Sequence, residues 1–569
     1  MESKLHSVRN IETLRDLING NAALFGDKPA LLPKEKKGGE YFEISFSQFK
    51  RDVDALGTKL IDMGLKGEKI AVMGNNSYQW VVAYFAIING AGIVVPLDKE
   101  LKKEEIENLI KTAGCKAVFF TQNYTKYFDD MDIEYKFKMD AYEIKENMTI
   151  ENHIYSLIND GMILLEQGND AYINAELDPN EMRVILFTSG TTGTPKGVML
   201  CHRNLCRVIM STSQIVKLYD GDRSLSLLPI HHTFESTIGI LVMLYQGASV
   251  AFCEGLKYVL KNLQESQASM LVGVPLIVES IYNKIWKEAE KTKKDKVLKK
   301  AIKLNKFLLA MGIDKRRVIF KSVYKNFGGK LRLVICGAAA LDPNVLRGFV
   351  DLGFDLTQGY GLTETAPLVA GVPDFGDIYR KAGSCGPAIP EVDIKIDNPN
   401  EDGIGEILIK GDNVMLGYYN MPEATKEVFT EDGYFKSGDL GFLDKDGWVY
   451  LTGRSKNVIV TKTGKNIYPE EIEIIVNANK FVEESMVYGV EGEKNEDTII
   501  TVQIKPDEAA LKEENLEEYT KDQLQEFFKE EIYKINVQLP SYKRIKNIII
   551  REEDFIRTTT KKIIRKANM

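Results

Sequence analysis

Residues 184–197, VILFTSGTTGTPKG, constrain this chain more than any other stretch. Val184 to Phe187 is a run of apolar, β-favouring residues, which predicts a short buried strand. The next ten residues are almost all hydroxyl-bearing or glycine, and they include Pro195-Lys196-Gly197. Glycines let a backbone approach a ligand closely, while hydroxyls, loop amides and an ammonium group bind phosphate oxygens. The pattern therefore predicts a phosphate-binding loop rather than a linker.

The loop is not a Walker A loop, because Pro195 stands where that motif needs glycine and Gly197 where it needs Ser or Thr. It strongly resembles the signature loop of the adenylate-forming (AMP-binding) superfamily: acyl-CoA synthetases, peptide-synthetase adenylation domains and firefly-type luciferases. The resemblance implies that a carboxylate attacks the α-phosphate of ATP, giving an acyl-adenylate and pyrophosphate. In most members a thiol then takes the acyl group. The loop residues that the resemblance assigns to ATP are Thr188, Ser189, Gly190, Thr191, Thr192, Gly193 and Lys196.

Length, charge and cysteine content indicate what class of protein this is. A chain of 569 residues is too long for one core, so two or more domains are expected. A net charge of -8 argues against a general nucleic-acid binder. The sequence shows no signal peptide and no run of the roughly 18 apolar residues that span a membrane. Scattered cysteines without a C-x-x-C pair predict reduced thiols in a cytoplasmic protein, and the Cys201, His202 and Cys206 spacing does not favour zinc.

The order of elements predicts the fold class. Helical spacing over 46–63 and 103–113 alternates with apolar runs at 69–74, 92–97 and 116–121, which is typical of a largely parallel sheet covered by helices. Residues 122–180 are irregular, and 383–453 are glycine-punctuated short strands that predict a small β-subdomain. We therefore expect an α/β N-terminal domain of parallel and mixed sheets layered with helices, residues 1–455. A small, mobile α+β C-terminal domain would follow, residues 456–569.

Two further stretches match the superfamily. Leu331 to Ala340 predicts a strand that ends in a turn of small residues, where the resemblance places Gly337 and Ala338 in the adenine pocket. Residues 358–365, QGYGLTET, match the second signature, and there the resemblance assigns Gln358, Gly359, Tyr360, Gly361 and Thr363 to the nucleotide. Tyr360 would stack on adenine and Thr363 would bind the α-phosphate. Glu364 would hold Mg²⁺ together with Thr191, and both are expected to be catalytic.

The last third of the chain carries the remaining motifs. By resemblance, Asp439 accepts hydrogen bonds from the ribose hydroxyls and Arg454 is its ribose or phosphate partner. Lys456 marks the hinge between the domains, and the loop with Gly464 and Lys465 meets the CoA thiol. Near the end, RTTTKKIIR aligns best with Lys562 as the catalytic lysine. Lys561 is a rival, because many relatives have glycine there.

Two features bear on the substrate and on partners. LPIHHTFE, residues 228–235, resembles the long-chain fatty acyl branch, in which His232 would line the acyl pocket; the alternative is a structural turn. Residues 281–327 place apolar residues at helical intervals between many lysines. Such a helix can lie peripherally on an anionic membrane, at the inner face of that membrane. Alternatively, it can be a solvated helix that packs on the main domain.

Together the motifs predict an ATP-dependent fatty acyl-CoA synthetase for medium to long chains. Its cofactors would be ATP and Mg²⁺, with CoA as co-substrate. Its partners would be the fatty acid, ATP and CoA, with no nucleic acid; the sequence leaves the oligomeric state open. Three alternatives remain: an enzyme that stops at the acyl-adenylate, one that transfers to an acyl-carrier protein, and an inactive nucleotide- or acyl-binding relative. Nothing in the sequence favours a luciferase-type oxygenase.

Overall fold

The computed structural model describes residues 4–140, 152–188, 195–461, 465–490, 498–557 and 563–569. The chain divides into two compact units. The first comprises Met1–Asp393 and Ile409–Phe435, and the second comprises Ile394–Leu408 and Lys436–Met569.

The described helices are α1 (Leu14–Phe25), α2 (Phe46–Asp62), α3 (Tyr78–Ala86), α4 (Lys103–Ala113), α5 (Thr125–Phe128), α6 (Ile154–Glu166), α7 (His202–Ile215), α8 (Val242–Tyr245), α9 (Val259–Ser266), α10 (Pro275–Lys291), α11 (Asp295–Ala310), α12 (Arg316–Ile319), α13 (Lys321–Lys325), α14 (Pro343–Asp351), α15 (Pro422–Glu427), α16 (Pro469–Asn477), α17 (Glu508–Glu513), α18 (Lys521–Gln538) and α19 (Arg565–Asn568). The π-helical turns Ile87–Ala91 and Phe234–Leu241 follow α3 and precede α8.

The described strands are β1 (Pro29–Leu32), β2 (Ile44–Ser45), β3 (Glu68–Met73), β4 (Gly92–Leu97), β5 (Ala117–Thr121), β6 (Tyr135–Met139), β7 (Met182–Thr188), β8 (Lys196–Cys201), β9 (Arg223–Ser226), β10 (Ser249–Phe252), β11 (Met270–Gly273), β12 (Leu333–Cys336), β13 (Asp355–Tyr360), β14 (Ala370–Gly371), β15 (Val392–Asp397), β16 (Gly405–Gly411), β17 (Gly417–Tyr418), β18 (Phe435–Leu443), β19 (Val449–Arg454), β20 (Ile459–Val460), β21 (Asn466–Ile467), β22 (Val482–Val490), β23 (Ile499–Pro506) and β24 (Asn547–Ile550).

The first unit contains two mixed sheets whose central strands are parallel. One has the order β14-β13-β12-β11-β9-β10-β1-β2, with antiparallel strands only at its two ends. The other has the order β17-β8-β7-β4-β3-β5-β6, where β7, β8 and β17 pair antiparallel. Helices connect and cover the parallel strands, so the α/β fold class predicted from the sequence is confirmed.

The second unit contains its own core and sheets. Strands β22, β23 and β24 form one sheet, with β24 parallel to β23. Helices α16 and α18 supply buried side chains to the same core, including Ile472 and Phe528. Strands β20 and β21 form a short hairpin. The glycine-punctuated strands predicted before residue 453 form a sheet of order β15-β16-β18-β19.

The predicted N-terminal elements form close to the expected bounds because their local signals agree with their burial. Helix α2 begins after Ser45, whose side chain accepts a hydrogen bond from the backbone N–H of Gln48. The 122–180 stretch is more regular than the sequence predicted, because it includes β6 and α6. Helix α6 was missed although its buried residues, in IYSLINDGMILLE, recur at helical intervals, because the polar residues around it led the whole stretch to be interpreted as irregular.

Gly161 of α6 sets how closely this helix approaches α2. A Cβ atom at Gly161 would lie 1.9 Å from the carbonyl oxygen of Ala55. Alanine favours a helix over glycine by about 1 kcal/mol. Overpacking against backbone costs more, about 1–3 kcal/mol or above. We therefore expect Gly161→Ala to lower the apparent midpoint of thermal unfolding, whereas Ile163→Ala, at an exposed position of the same helix, should change it little. An unchanged midpoint for Gly161→Ala would contradict this packing.

The lysine-rich 281–327 stretch forms α10 to α13, so the predicted helices are present. Ile281 and Leu298 are buried in a core cluster of the first unit, together with Phe320. Part of this region therefore packs on the protein. No helix in the described ranges is both long and apolar enough to cross a membrane.

Candidate functional site

The signature stretch lies between two antiparallel strands of the first unit. Strand β7 ends at Thr188 and β8 begins at Lys196, and these residues face each other in the ladder. The Thr188 hydroxyl donates to the carbonyl oxygen of Lys196 across 3.4 Å, which holds the two ends of the loop together. The strand predicted before the loop is confirmed. The other predicted phosphate-binding residues lie outside the described residues: Ser189, Gly190, Thr191, Thr192 and Gly193.

Lys196, Tyr418 and Glu364 form a polar cluster beside this loop. Strand β17 pairs with β8, which brings the Tyr418 ring to 4.7 Å from the Lys196 Nζ atom. The Tyr418 hydroxyl donates to Glu364 Oε1 across 3.0 Å. Burial, reinforced by the neighbouring carboxylate, raises the pKa of Tyr418, so its hydroxyl stays a neutral donor. An ammonium and a carboxylate, joined by one tyrosine, therefore lie where the phosphate loop ends.

The cluster fits a divalent cation at Glu364. A carboxylate is a hard oxygen ligand of the kind that Mg²⁺ prefers. Tyr418 donates to Oε1 and so orients the carboxylate that would hold the cation. The backbone also fixes this residue, because the N–H of Met415 donates to the Glu364 carbonyl oxygen across 2.8 Å. The second expected ligand, Thr191, lies outside the described residues.

Gly337 and Ala338 directly follow β12, at the carboxyl end of a parallel strand, where open α/β sheets bind ligands. A Cβ atom on Gly337 would lie 2.8 Å from Cζ of Phe234, so glycine allows the phenylalanine ring to approach the backbone. Ala338 is exposed and has a φ angle of 70°, a left-handed conformation that is uncommon for alanine. The roles of Gly337 and Ala338 in binding adenine stay predictions.

The second signature begins on β13 and continues into a tight turn. Gln358 is buried, and its side-chain amide donates to the Ser384 carbonyl oxygen across 2.6 Å. Tyr360 is 6 % exposed, so most of the ring predicted to stack on adenine is covered by its neighbours. Thr363 begins a single 3-10 turn that also contains Glu364. The turn places the predicted α-phosphate and cation residues side by side.

The glycines of this signature are required by close backbone contacts. Gly359 pairs with Gly371 of β14, and a Cβ atom there would lie 2.7 Å from Leu368 Cδ1. At Gly361 a Cβ atom would lie 1.7 Å from the Pro367 carbonyl oxygen. No side chain fits this approach. These contacts give both glycines a structural role in addition to the nucleotide role that the resemblance assigns.

His232 lies in a compact polar cluster between the two sheets of the first unit. Its ring centroid is 4.1 Å from that of His231, and His231 Nε2 is 3.5 Å from Asp98 Oδ2. Asp98 directly follows β4, and the histidines follow β9, so the carboxyl ends of strands from both sheets meet here. Asn76, after β3, joins them by donating to the Leu228 carbonyl oxygen across 2.7 Å. His232 therefore lies near the carboxyl ends of these strands, and its role in the acyl pocket stays a prediction.

Glu235 is a fully buried carboxyl group next to this cluster. It lies in the π-helical turn Phe234–Leu241, packed so closely on Gly239 that a Cβ atom there would be 2.9 Å from the carboxyl carbon. Burial raises the pKa of Glu235 from 4.5 to about 8, against the opposing effect of nearby Ser226. The folded protein therefore holds this group protonated at neutral pH.

This pKa predicts a pH-dependent stability difference from a Glu235→Gln variant. Between pH 4.5 and about 8 the unfolded chain ionises Glu235 while the folded protein keeps it neutral. Its contribution to stability is therefore full below pH 4.5 and is lost as the pH rises towards 8. We expect the variant to gain about 3–5 kcal/mol relative to the parent protein across that range. Urea unfolding at both ends of the range measures this, and a difference that is constant with pH would contradict it.

His202 has a structural role, in line with the sequence argument against zinc. Its Nδ1 accepts a hydrogen bond from the backbone N–H of Leu14 at 3.2 Å, and its Nε2 donates to the Ile88 carbonyl oxygen at 3.1 Å. Burial lowers the pKa of His202 to about 3, so the ring is neutral. Both ring nitrogens are engaged with backbone groups, which leaves neither for a metal.

In the second unit, Asp439 and Arg454 face each other across β18 and β19. Arg454 Nε lies 2.7 Å from Asp439 Oδ1, and Arg454 is the more exposed partner. The Asp439 backbone N–H donates to the Ser437 hydroxyl oxygen across 3.1 Å, which fixes the strand at this point. The structure thus brings together the two residues that the resemblance assigned to the ribose.

The remaining predicted residues lie around β20 and β21. Lys456 is exposed in the 3-10 turn Ser455–Asn457, just before β20. Lys465 is exposed, its backbone N–H donates to the Thr461 hydroxyl oxygen, and its Nζ lies 4.4 Å from the Tyr542 ring centroid. The predicted hinge and CoA roles stay predictions. Gly464, Lys561 and Lys562 lie outside the described residues.

Family models identify the class of this site. The model described as AMP-binding enzyme matches residues 19–419, and the model for the AMP-binding enzyme C-terminal domain matches residues 456–569. The chain belongs to the AMP-binding enzyme family. It is therefore an adenylate-forming enzyme of the ligase class, as the signature loop predicted.

Individual relatives of this AMP-binding enzyme are similar over most of its length. A long-chain fatty acid–CoA ligase of Mycobacterium bovis is 26% identical over 479 residues, covering 79% of this chain and 76% of the relative. A chloroplastic long-chain fatty acid–[acyl-carrier-protein] ligase of Arabidopsis thaliana is 26% identical over 546 residues, covering 83% and 74%. The ATP-bound crystal structure of MatB from Rhodopseudomonas palustris has a TM-score of 0.74 at 25% identity, covering 97% of this chain and 98% of that one.

Sequence reasoning missed three residues of this AMP-binding enzyme's polar clusters. Tyr418 stands in LGYYN, where two adjacent aromatic residues give no sign that one will bind Glu364. Asp98 directly follows β4 and Asn76 lies three residues after the end of β3, at carboxyl ends where ligand sites of parallel sheets form. That position was the available signal for these two. For Tyr418 the contact depends on the pairing of β17 with β8, which the sequence does not show.

Proposed function

We propose that this enzyme is an ATP-dependent fatty acyl-CoA ligase that acts on medium to long chains. The observation that carries the proposal is the Lys196–Tyr418–Glu364 cluster next to the signature loop. A lysine and an oriented carboxylate at that position suit a reaction in which a carboxylate must approach a polyanionic triphosphate. The names of the curated relatives support fatty acids as the substrate class.

In the first step, a carboxylate oxygen of the fatty acid bonds to the α-phosphorus of ATP. The bond from that phosphorus to the bridging oxygen breaks, and pyrophosphate leaves with the electron pair. Charge repulsion is the main obstacle, so Lys196 and Lys562 would stabilise the negative charge that develops on the phosphate oxygens. Mg²⁺, held by Glu364 and Thr191, supplies further charge neutralisation when bound. The nucleophile is already ionised, so no general base is needed.

In the second step, the thiol sulfur of CoA bonds to the acyl carbon. The bond from that carbon to the phosphate oxygen breaks, the thiol proton is lost, and AMP leaves. We assign Asp439 and Arg454 to the ribose, and the loop with Gly464 and Lys465 to the CoA arm. The division into domains 1–455 and 456–569, with the hinge at Lys456, belongs to the same proposal.

The acyl end of the substrate would lie towards His232. The LPIHHTFE motif places this histidine beside Phe234, which packs on Gly337 at the predicted adenine pocket. An apolar ring at this position suits the first carbons of an aliphatic chain better than a charged group would. This contact favours a fatty acid over a dicarboxylic acid.

A carrier protein is the second candidate acceptor. One relative of similar identity is named as a ligase for acyl-carrier protein, so the fold alone does not select CoA. The two acceptors share the same terminal thiol arm and differ in what is attached to it. Direct competition between free CoA and holo acyl-carrier protein therefore separates them.

The test is release of pyrophosphate from MgATP with acids from acetate to oleate and one aryl acid. Each acid is assayed with no acceptor, with CoA and with holo acyl-carrier protein. Turnover that peaks at medium or long chains and requires CoA is the expected result. Turnover that requires the carrier protein would show that the carrier protein, and not CoA, is the acceptor. A peak with acetate or the aryl acid, or no turnover with any acid, would overturn the proposal.

We also propose that the enzyme works in the reducing environment of the cytoplasm. All six cysteines lie in described residues and are free thiols: Cys115, Cys201, Cys206, Cys253, Cys336 and Cys385. Free, mostly buried cysteines are typical of proteins in reducing compartments. Titration of six thiols in the unfolded, unreduced protein from its native host would support this, and fewer would contradict it.

A further inference from the structure

Helices α10 to α13 carry a charge opposite to that of the chain as a whole. Residues 281–327 contain thirteen lysines and two arginines against four acidic residues, whereas the complete chain has a net charge of -8. Most of these lysines are exposed. The first unit therefore presents one strongly basic region on an otherwise acidic protein.

Helix α11 is anchored to the protein by one face only. Leu298 is buried in a core cluster of the first unit, and Ala301 and Ile302 pack partly against the same cluster. Asn305 on this face is 1 % exposed. These positions recur three and four residues apart, so they form one side of the helix. The helix is therefore held in place without using its other side.

That other side exposes a row of large apolar residues, which we call the apolar stripe: Val297, Leu304, Phe307 and Met311. Their exposed fractions are 63%, 51%, 62% and 57%. The spacing of seven, three and four residues places them on one side of the helix and its C-terminal end. Single exposed apolar residues are ordinary, but four in a row on one helix mark an interaction surface.

Lysines border the apolar stripe. Lys296, Lys300 and Lys303 are exposed and lie one turn apart, beside the stripe residues. A lysine side chain can extend its ammonium group away from an apolar surface while its methylene groups stay in contact with it. An apolar row bordered by lysines is the arrangement of helices that lie in the interface of an anionic bilayer.

We propose that α11 lies on the surface of a membrane that contains anionic lipids. Phe307 and Leu304 would enter the boundary between headgroups and acyl chains, and the lysines would bind lipid phosphates. The contact is peripheral, since no described helix can cross a membrane. The proposal does not depend on the ligase activity, although such a contact would bring a fatty-acid enzyme to the phase that holds its substrate.

The apolar stripe is what favours a bilayer over other polyanions. A nucleic acid or an acidic protein would be attracted by the lysines alone, and attraction of that kind needs no row of exposed aliphatic and aromatic side chains. A bilayer offers both an anionic surface and an apolar layer beneath it. Binding that requires both groups of residues therefore identifies the lipid surface.

The test is flotation of the full-length protein with vesicles of phosphatidylcholine alone and of phosphatidylcholine with phosphatidylglycerol in equal parts. One variant, Leu304→Ser with Phe307→Ser, removes half of the apolar stripe. A second, Lys296→Glu with Lys300→Glu and Lys303→Glu, reverses the bordering charge. The matched control is Tyr533→Ser with Val537→Ser, at two residues of α18 that are 71% and 66% exposed, on a helix with four acidic residues and three lysines. An unchanged far-UV circular dichroism spectrum and an unchanged thermal unfolding midpoint verify that every variant is folded.

We expect the parent protein and the control to bind the anionic vesicles and not the neutral ones, with binding that falls as salt rises. Each of the two α11 variants should bind at least about tenfold more weakly. No binding of the parent protein to anionic vesicles would overturn the proposal. Binding that survives the loss of Leu304 and Phe307 but not the charge reversal would also overturn it, and would indicate an acidic protein or nucleic acid as the partner.

Discussion

Replacing Lys562 by alanine is expected to slow formation of the acyl-adenylate about 10²–10³-fold, because a preorganised cation that stabilises developing negative charge contributes that much. Transfer of the acyl group to CoA should be nearly unaffected, because in that step no carboxylate has to approach a triphosphate. Two assays separate the steps. Pyrophosphate release in a single turnover reports the first, and transfer from supplied acyl-adenylate to CoA reports the second.

The matched control for this prediction is Lys561→Ala. It removes the same charge from the neighbouring residue of the RTTTKKIIR motif, so a purely electrostatic effect of a basic tail would appear in both variants. A loss in Lys561→Ala that exceeds the loss in Lys562→Ala would transfer the catalytic role to Lys561. Equal losses in both half-reactions would contradict the assignment of either lysine to adenylation alone.

Glu364→Gln should reduce adenylation by a similar factor, about 10²–10³, since it removes a carboxylate from the proposed cation site while preserving the shape of the side chain. Tyr418 orients that carboxylate through the 3.0 Å hydrogen bond to Oε1, so it acts as a positioning residue. Tyr418→Phe should cost only about tenfold, the effect of one hydrogen bond to a charged group. It should also raise the Mg²⁺ concentration needed for half the maximal rate.

Tyr419→Phe is the control for this pair. The neighbouring tyrosine donates to the Ala113 carbonyl oxygen at 3.4 Å and does not contact Glu364 through its hydroxyl, so its loss should leave the Mg²⁺ dependence unchanged. If Tyr418→Phe and Tyr419→Phe shift the Mg²⁺ dependence equally, the positioning role of Tyr418 is wrong. If Glu364→Gln keeps full activity, the cation is not held by this residue.

Much of the first unit was predictable because its signals are local. The bounds of β4 and α4 follow from an apolar run and from a periodic helix, and the structure places both where the sequence predicted them. The strand before the signature loop was equally clear. Helix α6 has helical spacing of its own that was overlooked, whereas its packing on α2 depends on a close approach at Gly161 that no local pattern shows.

The residues of the candidate site were likewise predictable only where their signals are local. Glu364, Asp439 and Arg454 were found because they belong to contiguous motifs. Tyr418 and Asp98 were missed because each enters its cluster through pairing or strand order between segments far apart in the chain. The exposure of the apolar stripe was also hidden, since the sequence shows two apolar faces on α11 and only the packing of Leu298 tells which one is buried.

The central claim is that a carboxylate attacks the α-phosphate of ATP. Its most direct test supplies a fatty acid whose carboxylate carries heavy oxygen, together with MgATP and CoA, and follows the label by mass spectrometry. The bond between carboxylate oxygen and α-phosphorus stays with the nucleotide when the thiol takes the acyl group, so we predict one heavy oxygen atom in each AMP formed. Label in orthophosphate, with ADP as the nucleotide product, would mean attack at the γ-phosphate and would contradict the account.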